Sequence, residues 1–193
     1  MQRALFLTLL LVVTGAVFAA DEGEDEYPSP DGHLAFRATR DEEKHTVDLI
    51  EKDTGKVLQR VAESEQGRFS YWVLWQPGGK RFAIRLSESR LSAWVEVWVR
   101  AGAKFREVSL PEFAEPKIPK KYENEKRVWH WAAINFCSPE RWTKSGSLVV
   151  ECESTTDGNG SYITAMRTVV FGFDRAGKAK ILSNENKVTA HFE

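Results

Sequence analysis

Cysteine is scarce, histidine is scattered, and no long apolar run occurs beyond residue 18; each shortage closes off a class of protein. Only Cys137 and Cys152 occur among 193 residues, which excludes a small disulfide framework and a cysteine-rich zinc module. They are also too close in sequence for an immunoglobulin bridge, which needs far more chain between its cysteines. His33, His45, His130 and His191 stand apart, with no zinc spacing among them, and no Gly-x-Ser-x-Gly elbow marks a nucleophile. Asp157, Asn159 and Ser161 begin like a calcium loop, but Tyr162 takes the sixth place, which requires glycine, and Thr168 the twelfth, which requires glutamate. No catalytic, cofactor-binding or metal-binding set is therefore written in the chain, and no cofactor is implied.

Charge of one sign is also missing. Residues 1–20 hold one of the 27 basic side chains, Arg3, and none of the 28 acidic ones, so the remainder carries 26 against 28. That balance gives no reason to expect a nucleic-acid partner. Arg3 precedes an apolar run over residues 4–18, which ends in Ala19-Ala20 before an acidic stretch. This is the pattern of a secretory signal over residues 1–20, with cleavage after Ala19 fitting the small-residue rule. The expected address is export, periplasmic or secreted, with no membrane association after cleavage. Residues 21–29 read as a solvated acidic leader, and residues 30–193 as one domain. About 173 residues suffice for a core that buries roughly 70% of the unfolded surface.

The dominant positive feature is a turn that recurs ahead of the expected strands. It reads Ser29-Pro30-Asp31-Gly32, then Gln76-Pro77-Gly78-Gly79, then Thr143-Lys144-Ser145-Gly146. A second glycine turn follows each, at Gly55, Gly102 and Gly177, 23 residues on in the first two units and 31 in the third. Proline presets φ at the second turn position and glycine accepts the left-handed conformation at the end. Strands are expected near residues 34–37, 46–50, 57–61, 69–75, 81–86, 93–99, 105–110, 128–136, 147–153, 162–173 and 178–182, with a mobile polar tail from residue 183. Residues 111–127, proline-rich and charged, read as a surface insertion, with a short helix at 120–126.

Several of these strands are apolar on both sides. Phe69, Tyr71, Val73 and Trp75 share one face while Trp72 and Leu74 share the other, and Val95 and Val97 oppose Trp94 and Trp98. Sheets buried on both faces are implied, stacked one on another. The fold class is all-β, with antiparallel meanders forming about three propeller-blade-like repeats.

Ser29-Pro30-Asp31-Gly32 with Leu34-Ala35-Phe36 and Asp53-Thr54-Gly55 resembles the Ser-Pro-Asp-Gly blades of the TolB-type β-propeller family. The resemblance implies that the motif closes a structural turn and that blade rims bind protein partners. Propellers close with typically four to eight blades, and three are too few for a ring. An open array, a twisted sandwich and a ring completed by further copies all fit the sequence.

Seven tryptophans remain as a functional signal. Trp72, Trp75, Trp94 and Trp98 are expected to fill the space between sheets. Trp129 and Trp131, with His130 between them and Trp142 nearby, are candidates for stacking on a sugar or anchoring a partner protein. Cys137 and Cys152 either pair across a loop or leave Cys152 as a small core residue. The expected function is a non-catalytic binding domain for a protein or glycan. The alternatives are an exported hydrolase using His130 and nearby acids, and a structural subunit of an envelope assembly.

Overall fold

The computed structural model describes residues 25–41, 43–65, 69–89, 92–116, 130–158 and 161–191. Residues 1–24, with the signal and most of the leader, lie outside the described residues, as does the expected helix at 120–126. All regular structure among the described residues is strand. Three up-and-down meanders follow one another: β1 (Asp25–Glu26), β2 (Leu34–Arg40), β3 (His45–Glu51) and β4 (Val57–Ser64); β5 (Ser70–Trp75), β6 (Arg81–Ser87), β7 (Ser92–Ala101) and β8 (Lys104–Val108); β9 (His130–Trp142), β10 (Leu148–Gly158), β11 (Ser161–Phe173) and β12 (Ala179–His191). The first forms its own sheet, while the second and third join through a short parallel pairing of Ser92 with Asn135 and Ala93 with Phe136. The three-repeat, all-β reading holds, and the repeats stack without closing into a ring.

The turns build the repeats. Gly32, Gly79, Gly146 and Gly177 each donate their N–H to the carbonyl three residues earlier, at 2.8–3.0 Å. Each has φ between 65° and 81°, the left-handed region that glycine enters without a Cβ penalty. In the first turn Asp31 accepts from the Ser29 hydroxyl at 2.6 Å and from the His33 amide at 3.2 Å. Those two bonds, the hydroxyl's first, hold its carboxyl below the ordinary aspartate range.

The middle meander is covered on both faces. Phe82, Ile84, Leu86, Val73 and Trp98 meet Leu34, Phe36, Val47, Leu49 and Val61 of the first meander. On its other side Ala83, Val97 and Val108 meet Val150, Val169 and Phe171 of the third. Strand alternation supplies both sets, since odd and even positions of one strand point to opposite faces. Phe82 is fully buried and lies within 5.0–6.0 Å, centroid to centroid, of Phe36, Trp75, Trp98 and Phe105.

A repeated tie fastens neighbouring meanders. Trp75, one residue before the second turn, donates its indole N–H to the carbonyl of Tyr27, two residues before the first turn, at 2.8 Å. Trp142, one residue before the third turn, donates likewise to the carbonyl of Leu74, two residues before the second, at 3.0 Å. The first meander has Pro28 at the tryptophan position and so begins the series.

Four expectations need correction. The acidic leader is not wholly solvated, because Asp25 and Glu26 pair with Arg37 and Phe36 as the missing fourth strand of the first meander. β9 does not stop at Phe136; it continues through Pro139 to Trp142, with Glu140 as an extra residue where the register shifts, a bulge being where a strand tolerates proline. The polar tail is ordered as far as His191, since β12 supplies ladder partners along β11 from Tyr162 to Phe173. Finally, Trp94 does not fill an intersheet space: it is 38% exposed. Trp75 and Trp98 do pack in the first core, while Trp72, half-buried, belongs to neither core cluster.

Phe82→Ala should lower unfolding free energy in urea by about 3–5 kcal/mol, as for other buried phenylalanines. Trp142→Phe keeps the ring but removes the tie, and should cost about 1 kcal/mol in the same assay.

Candidate functional site

The site arises from a break in strand pairing. One edge of β7 pairs with β9 at Ser92 and Ala93, and with β8 from Val97 to Ala101. Trp94, Val95 and Glu96 lie between these ladders, without a strand partner on that edge among the described residues. Here the chain leaves β8 and runs as irregular segment 109–116 across the seam between the middle and third meanders. Residues 111–116 belong to the expected surface insertion, yet Phe113 packs on the second core, as does Leu110, which was expected to end a strand. The Phe113 ring meets Phe171 edge to face at 5.8 Å, so an apolar side chain within a charged stretch anchors the crossing.

Phe113 divides the space at the seam. On one side is a cavity of about 350 Å³, lined by Trp94, Val95, Leu110, Cys137 and Phe171 among others. On the other is one of about 380 Å³, walled by Trp94, Phe136 and Cys137 and rimmed by Ser92, Glu115 and Glu153. The carboxylate of Glu153 accepts from the Thr155 hydroxyl at 2.8 Å. Cys137 and Cys152 face each other across β9 and β10, with Cα atoms 4.0 Å apart, and form a disulfide. Cys152 is also buried in the second core, so the bridge and the core position coincide. A third cavity, of about 510 Å³, lies between β8 and turn 174–177, lined by Arg106, Ser109, Gly177 and Lys178 among others, with no aromatic wall among the described residues.

Glu96 fixes Trp94. Its two carboxylate oxygens accept from the indole N–H groups of Trp94 at 3.1 Å and Trp98 at 3.3 Å. Burial pushes the Glu96 carboxyl above the ordinary glutamate range; the two indole bonds pull the other way, and nearby Glu107 adds to the rise. Trp98 is anchored in the first core, so the carboxylate links an exposed indole to a buried one.

The residues singled out from sequence are placed unevenly. Trp129 lies outside the described residues, as do the side chains of His130 and Trp131; the His130 backbone pairs with Asp157 near the far end of β9. Trp142 serves the intersheet tie and packs against Phe173 at 5.7 Å. Trp94, Glu96 and Phe113 were not expected to form a site. The alternating Trp94-Val95-Glu96-Val97-Trp98 run was the available signal, since it places a carboxylate between two indoles on one face.

No known protein-family profile matches the chain, and no curated protein matches its sequence. Among solved structures it is similar to the periplasmic gluconolactonase PpgL of Pseudomonas aeruginosa, with TM-score 0.36 and 13% identity. The match covers 86% of this chain and 57% of that one. A likeness of this size carries no inference about activity.

The raised Glu96 carboxyl has a stability consequence. A carboxyl held above its unfolded-state value favours the fold most when protonated, so its contribution is complete below the ordinary glutamate range and declines as pH rises through the raised value. Because it touches two indoles, its titration should appear in tryptophan fluorescence. An acid-range step with a midpoint above that of ordinary glutamates is expected, absent in Glu96→Gln.

Proposed function

We propose that this protein is an exported binding domain that holds part of a protein or glycan partner at the seam between its second and third meanders. The observation that supports this most is Trp94, a large aromatic left 38% exposed while its indole N–H is held by a half-buried carboxylate. A fixed ring face beside a cavity with a few polar groups on its rim is the usual form of a binding site. Export rests on the signal-like N-terminus, and the disulfide suits an oxidising compartment. The propeller-like stack supplies the rim; the partner is a matter of the site's chemistry, since fold does not fix function.

The test is retention of a partner from envelope extract, together with a glycan array, using wild type and Trp94→Ala side by side. Wild type should retain a ligand and Trp94→Ala should weaken it by about 1–3 kcal/mol, the usual range for an aromatic anchor. Equal retention by both proteins, or by neither, would contradict the proposal.

A second reading, an exported hydrolase, is favoured by one observation: Glu115 and Glu153 line the same cavity. Two carboxylates across a cleft are the equipment of glycoside hydrolysis. Under this reading some ester, glycoside or peptide is turned over, and Glu153→Gln lowers the rate by about 100-fold or more without unfolding the protein. A flat response across the panel removes it.

A further inference from the structure

The seam cavities carry a chemical bias that neither a protein nor a glycan partner in general would require. Among the described residues their charged lining is Glu112, Glu115 and Glu153, and their aromatic walls come from Trp94, Phe113 and Phe136 with Phe171 behind. Carboxylates on the rim of an aromatic pocket suit a positive charge on an apolar stem: the ring faces attract it through their quadrupoles, and the acids neutralise it. Two arginines come near without lining either cavity. The Arg85 guanidinium lies over the Phe136 ring at 5.7 Å from its centroid, an internal example of the same attraction. Arg167, opposite Cys152 in the ladder, donates to the Asn184 side chain at 3.1 Å.

We propose that the cavity pair flanking Phe113 binds an organic cation, an ammonium or guanidinium on an apolar stem, with Trp94 as its ring face and Glu115 and Glu153 as counter-charges. The stem lies against Phe113 and the disulfide, where the lining is apolar. The charged head sits at the rim, where both carboxylates are exposed and keep their water until the ligand arrives. Glu96 acts as a positioning residue, because both of its oxygens are engaged by indoles and it holds the Trp94 ring in place. The edge at residues 94–96, without a strand partner among the described residues, adds backbone polar groups beside the cavity. This assignment deepens the binding reading above and rests on it.

Calorimetric titration of the exported chain separates the outcomes. The probes are n-butylammonium, n-butylguanidinium, neutral n-butanol, a blocked lysine-containing pentapeptide and chitotriose. The cations should bind and n-butanol should not. Trp94→Ala should weaken cation binding roughly 3- to 30-fold, while Trp94→Phe retains most of it. The double variant Glu115→Gln/Glu153→Gln, altered at exposed positions, should weaken binding and flatten its salt dependence. A pentapeptide tighter than the free amines points to a polypeptide source and the reverse ranking to a small amine; both support the assignment. Alcohol binding as tight as cation binding, or cation binding indifferent to all these variants, overturns it. Chitotriose binding without cation binding overturns the cation assignment and leaves the binding domain standing. Silence from every probe, with no partner retained from extract, removes both.

Discussion

Phe82 sits in contact with four other aromatic rings on one side of the middle sheet, while its sequence neighbour Ala83 is equally buried on the other. That pair of adjacent residues contains the constraint on which the molecule depends: the middle meander is apolar on both faces and must be covered twice. At roughly 25 cal/mol per Å² of apolar surface removed from water, neither face of such a sheet is stable when wet. The first and third meanders are its two covers. The indole ties of Trp75 and Trp142 then set each cover in register with its neighbour, turn above turn.

The outward faces of the covers are built differently. On the first meander Arg60 reaches both oxygens of Asp48 and one of Glu63, and Lys44 also meets Glu63. The third meander aligns Glu151, Thr168 and Glu185 in one cross-strand row. Polar outer faces are how stacked repeats end, and they account for an array that stacks without closing. The candidate site follows from the same stacking. β7 shares one edge between β8 and β9, the two ladders do not meet, and the gap leaves Trp94 beside cavities that the core does not fill.

Much of the architecture was legible in sequence because its causes are local. Glycine at the end of each turn and alternation in residues 69–75 and 93–99 act within a few residues, and they were enough for three stacked meanders. The position of tryptophan one residue before the second and third turns was equally visible, although its partner two residues before the preceding turn is not. What escaped depends on distant strands. β1 is a strand because β2 offers it an edge, β12 is long because β11 is, and Pro139 is tolerated because a bulge falls beside it. The burial of Phe113 within a charged stretch and the exposure of Trp94 within an apolar strand are set by what passes overhead, which no periodicity records. For the same reason the site lay one strand away from the tryptophans that composition had favoured.

Native-state hydrogen exchange measured residue by residue tests the double covering most directly. If both faces of the middle sheet are sealed, amides of β6 exchange only through global unfolding, and together with those of β3 and β10. Amides of β6 that exchange faster than those of the edge strand β12, or that open while β10 stays protected, would contradict it.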